Sequence, residues 1–373
     1  MKILIAPDSF KESMTANEAS LAIEKGIHNH YQDIQTLLCP LADGGEGTLE
    51  TLVQAMNGII EYEEVTGPLF QKITSPIGYV DDIAIIECAK VCGLELLNED
   101  EKNPYHTTTY GLGELINKAM EHRIHKIMIC LGGSATNDGG IGMLSALGAR
   151  FYNAQHQQVS LTMAGLQDIC EVDMSSLDTR FKDIEIIGVC DVNNLLCGPQ
   201  GATAIYGPQK GVKQEEIACI DKAMEHYAKL VDSYVSIDYR FSPSSGAAGG
   251  LGYALLVCHG KLQKGFETVS IMTCLEEKIK EVDCVIVGEG KIDQQTQYGK
   301  TPYGVLCKAK KYHKPVIAFA GKVSDIDILK QLGFSQIYQI TPDDMELSMA
   351  LKQGQINLEK CVSEHMEEII NEI

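Results

Sequence analysis

Over the last third of the chain, short apolar runs alternate with helical stripes, and no other feature constrains the fold as strongly. Val285–Val287 reads as a strand, and Thr301-Pro302 reads as a helix cap followed by proline at the first helical position. Val305, Leu306 and Ala309 form the inward stripe of that helix. Val316–Ala320 is the next strand, Ile326–Leu332 the next helix and Ile337–Ile340 a further strand. Leu358, Val362, Met366, Ile369 and Ile370 then fall in register on an amphipathic C-terminal helix. This alternation predicts a parallel sheet with helices on both faces.

The start of the chain follows the same rule. Ile3–Ala6 is a strand, and Thr15-x-x-Glu18 is a capping box that opens a helix ending near Gly26, a suitable C′ residue. Gln35–Leu38 is a second strand, and Leu49, Leu52, Val53 and Met56 mark a second helix face. The middle differs. From Tyr62 to about Glu87, strands separated by Gly-Pro and Asp-Asp turns predict antiparallel pairing.

A chain of 373 residues exceeds what one core usually serves. The expected architecture is a two-lobed α/β protein: a discontinuous Rossmann-like parallel-sheet domain from residues 1–65 and 281–373, and an inserted mixed α/β domain over 66–280. The segment 107–147 fits either.

A net charge of −20 argues against nucleic acid or an anionic membrane as partner, because polyanions are repelled. The sequence has no apolar run near the ~20 residues of a membrane span. The opening segment is too short and too weakly basic for a signal peptide, so a cytoplasmic location is expected. Thirteen scattered cysteines without a Cys-x-x-Cys pair read as small core hydrophobes. A phosphorylated small ligand is compatible with so acidic a chain only where backbone N–H groups, lysines or Mg²⁺ reverse the local field. That directs attention to glycine loops.

In parallel α/β sheets, ligands bind beyond the carboxyl ends of strands. The ends here carry Asp8-Ser9-Phe10-Lys11, Asp43-Gly44-Gly45-Glu46, Gly132-Gly133-Ser134-Ala135-Thr136-Asn137-Asp138-Gly139-Gly140, Cys190-Asp191-Val192-Asn193 and Gly288-Glu289-Gly290-Lys291-Ile292-Asp293. The Gly132–Gly140 loop is either a phosphate cradle at a helix N-terminus or a tight strand-to-helix turn. Gly299-Lys300-Thr301 resembles the end of a P-loop, but Gln294 stands where its first glycine belongs, and Pro302 marks Thr301 as a helix cap. Lys210, Lys291, Lys300 and Lys322 stand beside glycine turns, a pattern suited to phosphate and carboxylate groups. Several aspartates are available for Mg²⁺ or for a hydroxyl proton.

These motifs, together with Asn103-Pro104, Thr107-Thr108-Thr109-Tyr110-Gly111, Gly207-Pro208-Gln209-Lys210-Gly211 and Gly246-Ala247-Ala248-Gly249-Gly250-Leu251-Gly252, occur in order along nearly the whole chain. The sequence resembles the type-1 glycerate kinases. The resemblance implies a flavodoxin-like lobe and a second α/β lobe with a cleft between them, and transfer of phosphate from ATP to D-glycerate, usually at the 2-hydroxyl, with Mg²⁺. D-glycerate and ATP are then the expected partners, with a homodimer left open.

On this reading Gly132, Gly133, Ser134, Asn137, Asp138, Gly139, Gly140 and Lys210 bind nucleotide, and Asp8, Ser9 and Lys11 face glycerate. Lys291 neutralises charge, while Asp191 and Asp293 divide the roles of general base and Mg²⁺ ligand. Two positions depart from the family pattern: Glu12 replaces the usual glycine, and Lys291 replaces the usual arginine. A kinase for a related hydroxy acid, a glycerate 3-kinase and an inactive nucleotide-binding regulator are the alternative readings.

Overall fold

The computed structural model describes residues 1–177, 181 and 183–373. Its strands are β1 (Lys2–Ile5), β2 (Gln35–Leu38), β3 (Ile59–Thr66), β4 (Lys72–Val80), β5 (Ile83–Glu87), β6 (Lys126–Cys130), β7 (Arg150–Tyr152), β8 (Glu171–Asp173), β9 (Glu185–Val189), β10 (Lys261–Gln263), β11 (Cys284–Ile292), β12 (Val316–Val323) and β13 (Gln336–Gln339). The chain folds as two units, one of Met1–Asp43, Glu50–Asn57 and Gly265–Ile373, the other of Gly44–Leu49 and Gly58–Lys264.

In the first unit a five-stranded sheet runs β13-β12-β11-β1-β2, and each neighbouring pair is parallel. The apolar run Ile3, Leu4 and Ile5 is fully buried, as expected of a strand covered on both faces. Thr15 and Glu18 form the capping box: Glu18 N–H donates to Thr15 Oγ1 at 3.2 Å and Thr15 N–H to Glu18 Oε2 at 2.8 Å. The helix runs past Gly26 to His28. Gly26 therefore does not end the helix. A Cβ there would lie 2.6 Å from the carbonyl oxygen of Glu359, so glycine allows the C-terminal helix Gly354–Glu372 to approach closely. That helix buries Leu358, Val362, Met366 and Ile369, as its periodicity predicts.

In the second unit a six-stranded sheet runs β10-β9-β6-β5-β4-β3. β3, β4 and β5 pair antiparallel, and β5, β6, β9 and β10 parallel. The segment 107–147 belongs to this unit, with β6 at the middle of its sheet. Among the described residues, no helix is long and apolar enough to cross a membrane.

Candidate active site

The first unit's sheet has one topological switch. From β1 the chain builds outward to β2 on one side and later to β11, β12 and β13 on the other. A crevice outside the carboxyl ends of β1 and β11 is where such sheets bind ligands. β1 delivers Asp8 there. β11 extends beyond the expected Val285–Val287 run to Ile292, so the Gly288-Glu289-Gly290-Lys291 sequence is strand rather than loop. Its glycines leave room for the segment after β1: a Cβ on Gly288 would meet the Phe10 ring at 3.0 Å, and one on Gly290 would meet Lys11 N at 3.4 Å. Asp8 N–H donates to the Gly288 carbonyl at 2.8 Å, which fixes the two strand ends together.

Carboxylates accumulate here. The side chain of Asp8 accepts from Ser9 N–H at 2.6 Å and from the Thr301 hydroxyl. Burial, the nearby Asp43 charge and, more weakly, Glu289 push the Asp8 carboxyl up to about 7, against the pull of those two hydrogen bonds. Glu289 is 7% exposed and pairs with Lys300 at 2.8 Å. Burial, helped by Asp43 and Asp293, still pushes it up to about 7. Asp293 is the opposite case. Its ion pair with Lys291 at 2.7 Å and a hydrogen bond from Gln295 N–H at 2.9 Å hold it below the usual carboxylate range. Lys11 and Lys291 are exposed, and Ser9 is half-buried.

Thr301 is not the cap expected from Thr301-Pro302. Lys300 occupies the N-cap position, and the Thr301 hydroxyl turns to Asp8. Sequence reasoning gave Glu289 no role, read Lys300 only as one of several lysines beside glycine turns, and took Thr301 for a helix cap, because its partner Asp8 lies 293 residues away in the chain. The two glycines that flank Glu289 and the Gly299 before Lys300 were the local signals.

The second unit presents the Gly132–Gly140 loop after β6. Gly133 is exposed and Gly132 half-buried, whereas residues 134–140 are buried. Gly139 and Gly140 are packing positions: an added Cβ would meet Tyr227 Cε1 at 2.7 Å and Ala254 Cβ at 2.3 Å respectively. The helix after the loop, Ile141–Ala146, has its N-terminal donors already taken. Asp138 accepts from Gly140 N–H at 2.9 Å, Thr109 N–H at 3.0 Å and Thr109 Oγ1 at 2.8 Å, and Met143 N–H donates to Thr109 Oγ1 at 2.9 Å. The expected contribution of this helix end to phosphate binding is therefore spent on a carboxylate inside the protein. Burial pushes Asp138 up, and its hydrogen bonds oppose the shift.

Lys210 is 2% exposed and donates to Ser134 Oγ at 2.9 Å and to the Thr136 carbonyl at 2.7 Å, bracing the loop from inside. Burial lowers it to about 8. Asn137 donates to Thr203 Oγ1 at 2.9 Å. The open part of the loop, Gly132, has a second glycine turn beside it, since its Cβ would meet Gly45 Cα at 3.2 Å. Asp191, beyond the end of β9, is exposed.

Residues 3–370 match the model of the glycerate kinase family. The chain is 42% identical over 362 residues to the glycerate 2-kinase of Escherichia coli strain K12, covering 96% of this chain and 95% of that protein. It is 43% identical over 362 residues to a glycerate kinase of Haemophilus influenzae, covering 96% of each. A crystal structure assigned as glycerate kinase 2 from Salmonella typhimurium LT2 superposes with a TM-score of 0.90 at 41% identity, covering 100% of this chain and 98% of that one. The carboxylate-lined switch point, the glycine loop and this full-length similarity lead to one assignment: the chain belongs to the glycerate kinase family.

Proposed function

We propose that the protein transfers the γ-phosphoryl group of ATP to the 2-hydroxyl of D-glycerate, releasing ADP and 2-phosphoglycerate. The observation that carries the reading is Asp8: a carboxylate at the switch of a parallel sheet, pushed up to about 7 and so poised to take a proton near neutral pH. Asp8 accepts the hydroxyl proton as the glycerate oxygen bonds to the γ-phosphorus. The bond from that phosphorus to the β–γ bridging oxygen breaks, and its electrons leave with ADP. Lys11 and Lys291 are exposed cations, with the Lys11 backbone lying against Gly290, and suit the glycerate carboxylate. Asp293 orients Lys291 through their 2.7 Å pair, which leaves it less apt as a base than Asp8. The backbone at Gly132 and Gly133 is the stretch of its loop open to phosphate oxygens, with Lys210, Asp138 and Asn137 fixing its shape.

Among the described residues, no three His, Cys, Asp or Glu side chains gather closely enough to hold a metal ion. That fits Mg²⁺, which usually binds through one or two carboxylates, several waters and substrate phosphates. Asp191, exposed at the end of β9, or Asp293, paired with Lys291, would hold it. Bound there, the ion supplies charge neutralisation to the β- and γ-phosphates.

A coupled ADP-release assay with D-glycerate, L-glycerate and tartronate tests the substrate. Turnover fastest with D-glycerate supports the reading. Preference for another acid moves the activity to a related hydroxy-acid kinase, and ATP binding without turnover moves it to a nucleotide-binding regulator.

A further inference from the structure

Gly299-Lys300-Thr301 is not a P-loop, yet its position is constrained. The turn Gln294–Tyr298 is capped by Asp293 and ends at Gly299, whose φ is 116° and whose missing Cβ would point into open space. Glycine is needed there for the backbone alone. The next two residues each take hold of one carboxylate. Lys300 Nζ donates to Glu289 Oε1 at 2.8 Å and to the Lys291 carbonyl at 3.0 Å, and the Thr301 hydroxyl donates to Asp8 Oδ2. Thr301 is 1% exposed, so its hydroxyl is a fixed internal group.

We propose that Lys300 and Thr301 are positioning residues for the transfer, holding Glu289 and Asp8 from adjacent positions so that Asp8 keeps the orientation it needs as the base. The inference rests on the reading of Asp8 given above. Asp43 and Glu289 face Asp8 with negative charge, and Asp43 and Asp293 face Glu289, so without restraint the carboxylates would turn away from one another. Ser9 N–H holds one oxygen of Asp8 at 2.6 Å and Thr301 holds the other. The side chain is thereby fixed in rotation, and its remaining lone pairs are left for the substrate proton. Lys300 is the cation paired with Glu289, and it limits the charge that Glu289 presents to Asp8.

Thr301→Val keeps the shape of the side chain and removes the donor. It is expected to lower kcat by about tenfold to a hundredfold. KM for ATP should stay within about twofold, and the acid limb of kcat/KM for glycerate should move to higher pH, because the lost hydrogen bond had favoured ionised Asp8. Thr301→Ser should restore both. Lys300→Met should act in the same direction and Lys300→Arg should recover most of the loss, which gives a second route should Thr301→Val fail to fold. Wild-type kcat and pH profile in Thr301→Val or, in its place, Lys300→Met would overturn the inference. A loss that Thr301→Ser and Lys300→Arg fail to restore would overturn it as well. Wild-type enzyme without glycerate-dependent ADP release would instead remove the base assignment itself, so the two failures are distinct.

Discussion

In the Gly132–Gly140 region the two buried charges are of opposite sign and each has local partners, Asp138 three donors and Lys210 the Ser134 hydroxyl and the Thr136 carbonyl, although burial still pushes Asp138 up and Lys210 down to about 8. At the β1–β11 switch the balance is left incomplete. Asp8, Asp43 and Glu289 act on one another, and both Asp8 and Glu289 are pushed up to about 7 despite their hydrogen bonds. Both regions are strand ends with glycines, so sequence makes them look equivalent. The first is a shaped backbone surface whose charge is spent on rigidity. The second retains electrostatic stress of the kind that makes a carboxylate useful near neutral pH.

The largest expected effect separates the two kinds of region. Asp8→Asn should lower kcat by about 10² to 10⁴, the range for loss of a general base, with little change in ATP affinity. The same variant should be more stable than wild type at pH 8. The carboxyls of Asp8 and Glu289 lie above their unfolded values of ~4, so the folded protein binds more protons than the unfolded chain between about pH 4 and 7. The contribution of these two groups to stability is therefore fullest below ~4 and is lost as pH rises through about 7, while an amide at position 8 escapes part of that loss. Urea melts at pH 5 and pH 8 measure this, and an equal difference at both would contradict the charge-stress account.

In the loop region the largest effect should come from the backbone. Gly249 has φ +70°, and its missing Cβ would stand 2.0 Å from the Thr136 carbonyl oxygen. Gly249→Ala should cost about 3 kcal/mol in chemical denaturation, because neither backbone can yield cheaply. Lys210→Met should destabilise by about 1–3 kcal/mol, since Ser134 and Thr136 lose their donor. A more stable Lys210→Met protein would mean that this lysine is kept for a ligand, which would blur the contrast.

The smallest effect sits beside the switch. Glu12 has φ 61°, a left-handed conformation disfavoured for a residue with a Cβ, at the position where the family pattern has glycine. Glu12→Gly should raise stability by about 1 kcal/mol. No gain would show that contacts of the glutamate side chain offset the strain.

Periodicity and caps exposed much of the scaffold. The capping box Thr15–Glu18 spans four residues of local grammar, and the C-terminal stripe is a repeat read within one helix. Gly26 was misjudged because its partner, Glu359, lies more than three hundred residues away in the chain. Thr301 was misjudged for the same reason, since its hydroxyl answers Asp8 and not its own helix. Asp138 in the loop and Lys210 in the Gly207–Gly211 turn were legible as candidates, but their inward orientation was not, because it is decided by distant partners, Thr109 for Asp138, and Ser134 and Thr136 for Lys210. Local sequence thus located the strand ends. Which of them carries unspent charge became visible only once the partners were in place.

Phosphorus NMR of the product formed from ATP and D-glycerate tests the central claim most directly. A single new monoester resonance that matches 2-phosphoglycerate is the predicted result. A resonance at the 3-position, or no ester at all, would contradict it.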